Sequence, residues 1–155
     1  MSSGRHIPST RLVVQADARV LSWWRTLCLL GGLNVCLWLA VHAGLPWVQK
    51  AAWAIPVFMV VAQGFCWHSV LTLNHITQAV ESSLWAAGFS WMAALLGVIA
   101  LDSTGWVRSL AVFGILGSMA FVAYVAGVDV PMYWRHYQHG RARGQAYMRL
   151  GQGAG

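Results

Sequence analysis

The sequence predicts an all-α integral membrane protein: a four-transmembrane-helix up-down bundle preceded by an N-terminal interfacial amphipathic helix, with both termini cytoplasmic. Three observations lead there. Of 155 residues, 58% are hydrophobic and only 9% charged, against about 25% charged residues in soluble domains. A membrane helix takes about 20 predominantly apolar residues, so this length holds at most about four or five spans and no separate soluble domain. Finally, the charges sit at the ends. Ten Lys and Arg against four Asp and Glu give +6, but Arg5, Arg11, Arg19 and Arg25 precede the first apolar run and Arg135, Arg141, Arg143 and Arg149 follow the last. Cationic flanks stay on the cytoplasmic side while apolar segments insert, which demands an even number of spans. The same placement argues against nucleic acid as a partner, since no aromatic-basic stacking surface is offered by a foldable soluble module.

Residues 1–25 form a short polar arm with Pro8, then an interfacial helix. From Thr10 the apolar residues Val13, Ala16, Val20, Trp23 and Trp24 recur at helical spacing while Arg11, Gln15, Ser22 and Arg25 take other faces. That is the pattern of a helix lying at headgroup depth. Thr10 is its expected N-cap. Trp23, Trp24 and Arg25 are expected to touch lipid or a partner.

Residues 26–134 hold the four spans. Span one covers about 26–46 and ends at a turn marked by Gly44, Pro46 and Trp47. Its Val41-His42-Ala43 loosely matches a signal cleavage site, yet the apolar run is too long for a signal core, so an uncleaved span is expected. Span two covers about 51–74, with Pro56 one turn inside. The stretch 74–83 is polar without Lys or Arg, a cytoplasmic loop or an extension of span two. Span three covers about 84–101, and residues 102–106 make the second external turn. Span four covers about 107–128, where Asp129-Val130-Pro131 ends or kinks it. Tyr133, Trp134 and Arg135 then occupy the cytoplasmic belt, another lipid or partner contact. Residues 135–155 form a basic, Gly-rich cytoplasmic tail.

Lipid tails are as apolar as leucine, so membrane helices associate through close backbone approach and interhelical hydrogen bonds. Small residues at four-residue spacing are the expected seams: Ala86-Ser90-Ala94 and Ala93-Gly97 in span three, Gly114-Ser118 in span four. Cys28, Cys36 and Cys66 are odd in number and lack CxxC spacing, which suits packing residues better than disulfides or a zinc site.

Residues with chemistry cluster at the cytoplasmic end of span two. His68, Thr72, His75 and Ser82 share a face if the helix continues. His68 and His75 would then stand about 10 Å apart, too far to share one ion. His136 and His139 would lie at the same depth if the helix of span four resumes after Pro131. A metal or haem site would therefore combine His68 or His75 with His136 or His139. A quinone would hydrogen-bond His68 or His75 and stack on Trp67. Glu81, Asp102 and Asp129 fall at span ends, where carboxylates are inexpensive. Asn34 and Gln63 are the midspan amides, candidates for a transport path or for gluing helices together.

No nucleophile elbow, HExxH or strand-flanked glycine loop is present in the sequence. The expected function is a small non-catalytic subunit that scaffolds or anchors a larger inner-membrane complex, with membrane lipids and other membrane subunits as partners. The alternatives are an electron-transfer subunit carrying haem, metal or quinone, and a small homo-oligomeric transporter or channel. The preference for Arg over Lys and the richness in Ala and Gly point to a bacterial GC-rich source. In length, span number and terminal placement the chain resembles the small membrane subunits of bacterial transport and respiratory complexes.

Overall fold

The first helix, α1 (Thr10–His42), runs without a break through the segment expected to separate an interfacial helix from span one. No Gly or Pro lies between residues 10 and 30 to interrupt it. This is a computed structural model; it describes the backbone of residues 10–72 and 75–152 and the side chains of 21–69 and 75–141. The polar arm, the face of α1 before Leu21 and Asn74 fall outside the described residues, as do the side chains of Thr72, Arg143 and Arg149.

After α1 the chain turns at Gly44, whose φ of 68° is a left-handed conformation that glycine adopts without steric cost. Pro46 opens α2 (Pro46–Ala52) at a position where its missing N–H is not needed. A break at Trp53 separates α2 from α3 (Ala54–Thr72). Pro56 explains it: with no N–H, it cannot bond back to the carbonyl of Ala52.

Next, α4 (His75–Asp102) starts nine residues earlier than the predicted span three. The stretch expected to be a loop is thus helical from His75 onward, because Thr77, Gln78, Glu81 and Ser82 are buried on it and helix formation satisfies their backbone. His68 and His75 therefore lie on two different helices packed along each other, not on one face of one helix.

A short turn at Ser103 and Thr104 leads to Gly105, with φ 63°, and to α5 (Gly105–Tyr124). Span four does not end at Asp129. A π-helical turn, Val125–Asp129, passes directly into α6 (Val130–Gln152). Pro131 leaves a carbonyl without its helical donor, and the wider π turn just before it re-registers the backbone so that the helix continues.

The protein is all-helical, with no strand among the described residues. Four helical segments are long and apolar enough to cross a membrane: Leu21–His42, Pro46–Ser69, His75–Asp102 and Gly105–Arg141. They pack around one core in which α4 is central. Trp85, Phe89, Met92, Leu96 and Ile99 of α4 meet Leu29, Leu33, Cys36 and Leu39 of α1, Ile55 and Ala62 of α3, and Val107 and Ala111 of α5. Close approaches occur where a side chain is missing. A methyl group at Gly32 would collide with the Met92 thioether, and one at Gly114 would lie 2.7 Å from Leu96 Cδ1. Cys28, Cys36 and Cys66 are free thiols, the last two buried.

Candidate functional site

Three charged side chains meet inside this core. Arg25 of α1, Glu81 of α4 and Asp129 of the π turn are 4%, 7% and 2% exposed. Arg25 Nη2 donates to Asp129 Oδ2 in a direct ion pair. Its Nη1 donates to Ser82 Oγ at 3.3 Å and stands 4.0 Å from Glu81 Oε1. Glu81 in turn accepts from Trp85 Nε1 at 3.2 Å and from Ser69 Oγ at 3.4 Å. The guanidinium carbon also lies 6.0 Å from the ring centre of Phe121, within cation–π range.

Local structure explains the convergence. On α1, Arg25 continues the stripe of Leu29, Leu33 and Cys36, so it points where they point. On α4, Glu81 stands one turn before Trp85 on the buried face. The π turn adds a residue to the helical register, and Val125 and Asp129 both fall on its inward side. One cation thus faces two acids, drawn from three separated parts of the chain. Such a cluster is stable only while each charge keeps its partners, because removing a buried ion from water is costly. Two buried polar atoms beside it, Ser22 Oγ and Arg25 Nε, have no hydrogen-bond partner among the described residues.

Several residues expected at the membrane surface or at seams lie elsewhere. Arg25 is turned into the core and is not a lipid contact, since its two carboxylate partners are inside. Trp85 is fully buried as the donor to Glu81. Glu81 and Asp129 are not idle span-end carboxylates. Ser90 and Ala94 face outward, and nothing lies within 4 Å of a Cβ added at Gly97, so the predicted span-three seam is not where α4 packs within this chain. The packing face of α4 lies instead along Trp85, Gly88, Phe89 and Met92. By contrast, Gly114 and Ser118 do sit at the contact with α4 or in the interior, Ser118 bonding back to the Gly114 carbonyl at 2.8 Å.

Trp23 and Trp24 are well exposed, as are Trp134 and Arg135, while Tyr133 is half-buried. Gln63 donates to Thr26 Oγ1 and so ties α3 to α1. Asn34 is exposed and bonds back to the Leu30 carbonyl of its own helix at 2.9 Å.

The histidines separate into two groups. His75 and His136 lie with their rings nearly parallel, centroids 5.5 Å apart, and His75 Nδ1 pairs with Gln78 Oε1 at 3.0 Å. His139 lines the same hollow, about 460 Å³ in volume. His68 lines a different one with Val61, Gly64, Phe65 and Thr77, and Trp67 beside it is exposed. Of the expected pairings, the structure brings His75 together with His136 and His139, while His68 lies apart from them. Among the described residues, no group of three or more His, Cys, Asp or Glu side chains is arranged to hold a metal.

Comparison with protein-family models, curated proteins and solved structures finds no match for the chain.

Proposed function

We propose that the chain is a small non-catalytic integral membrane subunit that scaffolds or anchors a larger bacterial inner-membrane complex. In this reading the four spans form an up-down bundle, both termini are cytoplasmic, and the Arg25 cluster fixes how α1, α4 and the π turn are set against one another. The supporting observation is what faces outward at mid-membrane. Asn34 stands near the middle of its span and Ser90 near the middle of α4, and both are exposed. Asn34 places one Nδ2 hydrogen on the Leu30 carbonyl, but hydrocarbon offers the rest of its amide no partner, and an unsatisfied group there is costly. A neighbouring helix supplies that partner and can approach closely against Ser90, Ala94 and the open flank of Gly97.

Photo-crosslinking amino acids placed at positions 34, 90 and 116 in native membranes test this. Positions 34 and 90 are expected to capture protein, whereas exposed Leu116 captures lipid. Lipid adducts alone at all three positions, together with a lone monomer in mild detergent, refute the proposal.

A second reading, an electron-transfer subunit carrying haem, metal or quinone, draws on the His75 and His136 pair. An absorption spectrum with metal and quinone analysis of the gently extracted protein decides it: no Soret band, no metal and no quinone removes it.

A further inference from the structure

The outer face of α6 carries a groove that neither the core nor the charge cluster uses. It is a hollow of about 420 Å³, and its lining changes character along the helix. Val128, Pro131 and Met132 form the apolar end; Arg135, His136 and His139 form the other. The adjoining His75-lined hollow opens on the same two histidines. No acidic residue occurs between Val130 and Arg141. The nearest one, Asp129, is buried against Arg25, so it does not neutralise the rim. Arg135 itself is exposed and takes part in no ion pair among the described residues.

Depth matters as much as charge. Gly105 follows the turn at the far end of the molecule, and thirty residues of helix at 1.5 Å each place Arg135 about 45 Å from it. A bilayer with its headgroups is about 40–45 Å thick. The basic rim therefore meets the phosphate layer while Val128 and Met132 lie against acyl chains.

We infer that this groove is a binding site for one anionic glycerophospholipid, its phosphate held by Arg135, His136 and His139 and its upper acyl chain laid along Val128, Pro131 and Met132. A guanidinium donates charge-assisted hydrogen bonds to phosphate oxygens, and imidazoles add further donors. A soluble phosphate would use the rim alone; only a lipid fills both ends of a groove graded from apolar to cationic. The inference rests on the membrane reading of the four helices but not on the presence of a partner subunit.

Native mass spectrometry of the full chain in mild detergent, titrated with phosphatidylglycerol or with phosphatidylcholine of the same acyl chains, tests it. One phosphatidylglycerol is expected to remain bound, at least about tenfold more tightly than phosphatidylcholine. The pair Arg135→Gln and His139→Gln removes that preference. Arg141→Gln, which deletes the same charge outside the groove, leaves it intact. Met132→Asn weakens phosphatidylglycerol with the rim unchanged, and circular dichroism verifies that each variant keeps its helicity. Equal retention of the two lipids, or indifference to the rim pair, overturns the site. Complete displacement by equimolar soluble glycerophosphate likewise overturns the lipid assignment in favour of a phosphate-only site. Loss of protein crosslinks at positions 34 and 90 with lipid preference retained would sink the subunit reading alone.

Discussion

Replacing Asp129 with alanine should destabilise the protein by about 3 kcal/mol, and the reasoning can be followed from the geometry. Breaking one partner out of a buried ion pair costs about 3–5 kcal/mol, because the remaining charge stays desolvated. Here Arg25 would retain Ser82 Oγ at 3.3 Å and Glu81 at 4.0 Å. Unit charges that far apart at an effective dielectric of about 20 attract by about 4 kcal/mol before desolvation is counted. Glu81 thus takes over part of the role, which places the loss at the lower end of the range, about a hundredfold in the folding constant. Arg25→Met alone should cost a similar amount. The double replacement Arg25→Met with Asp129→Ala removes both members of the pair but leaves Glu81 buried with its Trp85 and Ser69 donors and no cation, so its cost should stay near that of either single variant and well below their sum. Steric-trapping or SDS unfolding in mild detergent, followed by helicity, measures all four corners of the cycle. A coupling energy of about 2 kcal/mol or more is expected. Single variants that each lose less than about 0.5 kcal/mol and simply add would refute the account of Arg25 as a buried, partner-dependent charge.

Three further outcomes are expected. Gly114→Val drives a branched side chain into Leu96 and should cost about 1–3 kcal/mol, with Leu96→Ala restoring much of it; thermal unfolding of the single and double variants checks this. Gly44→Ala and Gly105→Ala force a Cβ into left-handed backbone and should each cost about 1–2 kcal/mol, whereas Gly117→Ala, with open space around it, should cost almost nothing in the same assay. With the native thiols replaced, single cysteines at Thr104 and Gln138 should react with a membrane-impermeant maleimide from opposite sides of the membrane; labelling of both from one side contradicts the span order.

The four spans were legible because each is a run of apolar residues ended by Gly, Pro or charge, and that signal survives without knowledge of any neighbour. The charge cluster was not read, for a different reason. Counting Arg25 among the terminal cations gives it an expected side of the membrane but ignores its face. The signal was nevertheless present: Ser22, Arg25, Leu29, Leu33, Cys36 and Ala40 fall in steps of three and four, and all are buried. Glu81 is likewise in phase with Trp85, Phe89, Met92 and Leu96. In a helix that is apolar all round, however, no polar face marks the outside, so which stripe turns inward depends on the partner helices. The seam expected at Ser90 and Ala94 lies off the packing face of α4 within this chain for the same reason, since small residues permit close approach without saying to whom. Asp129 needed more, because a π turn shifts register in a way that regular periodicity does not anticipate.

The ion pair between Arg25 and Asp129 joins residues 104 positions apart, and that separation has a consequence for how the protein is made. A chain enters the membrane from its N-terminus, so α1 arrives with an unneutralised guanidinium at the N-terminal end of its apolar segment. Ser82 and Glu81 reach it only with the third span, and Asp129 only when the last has been synthesised. Until then the arginine can extend along its alkyl stem toward the headgroups. Nascent chains truncated before Asp129 should be extracted or degraded faster than longer ones, which makes this salt bridge a marker that these four spans have come together.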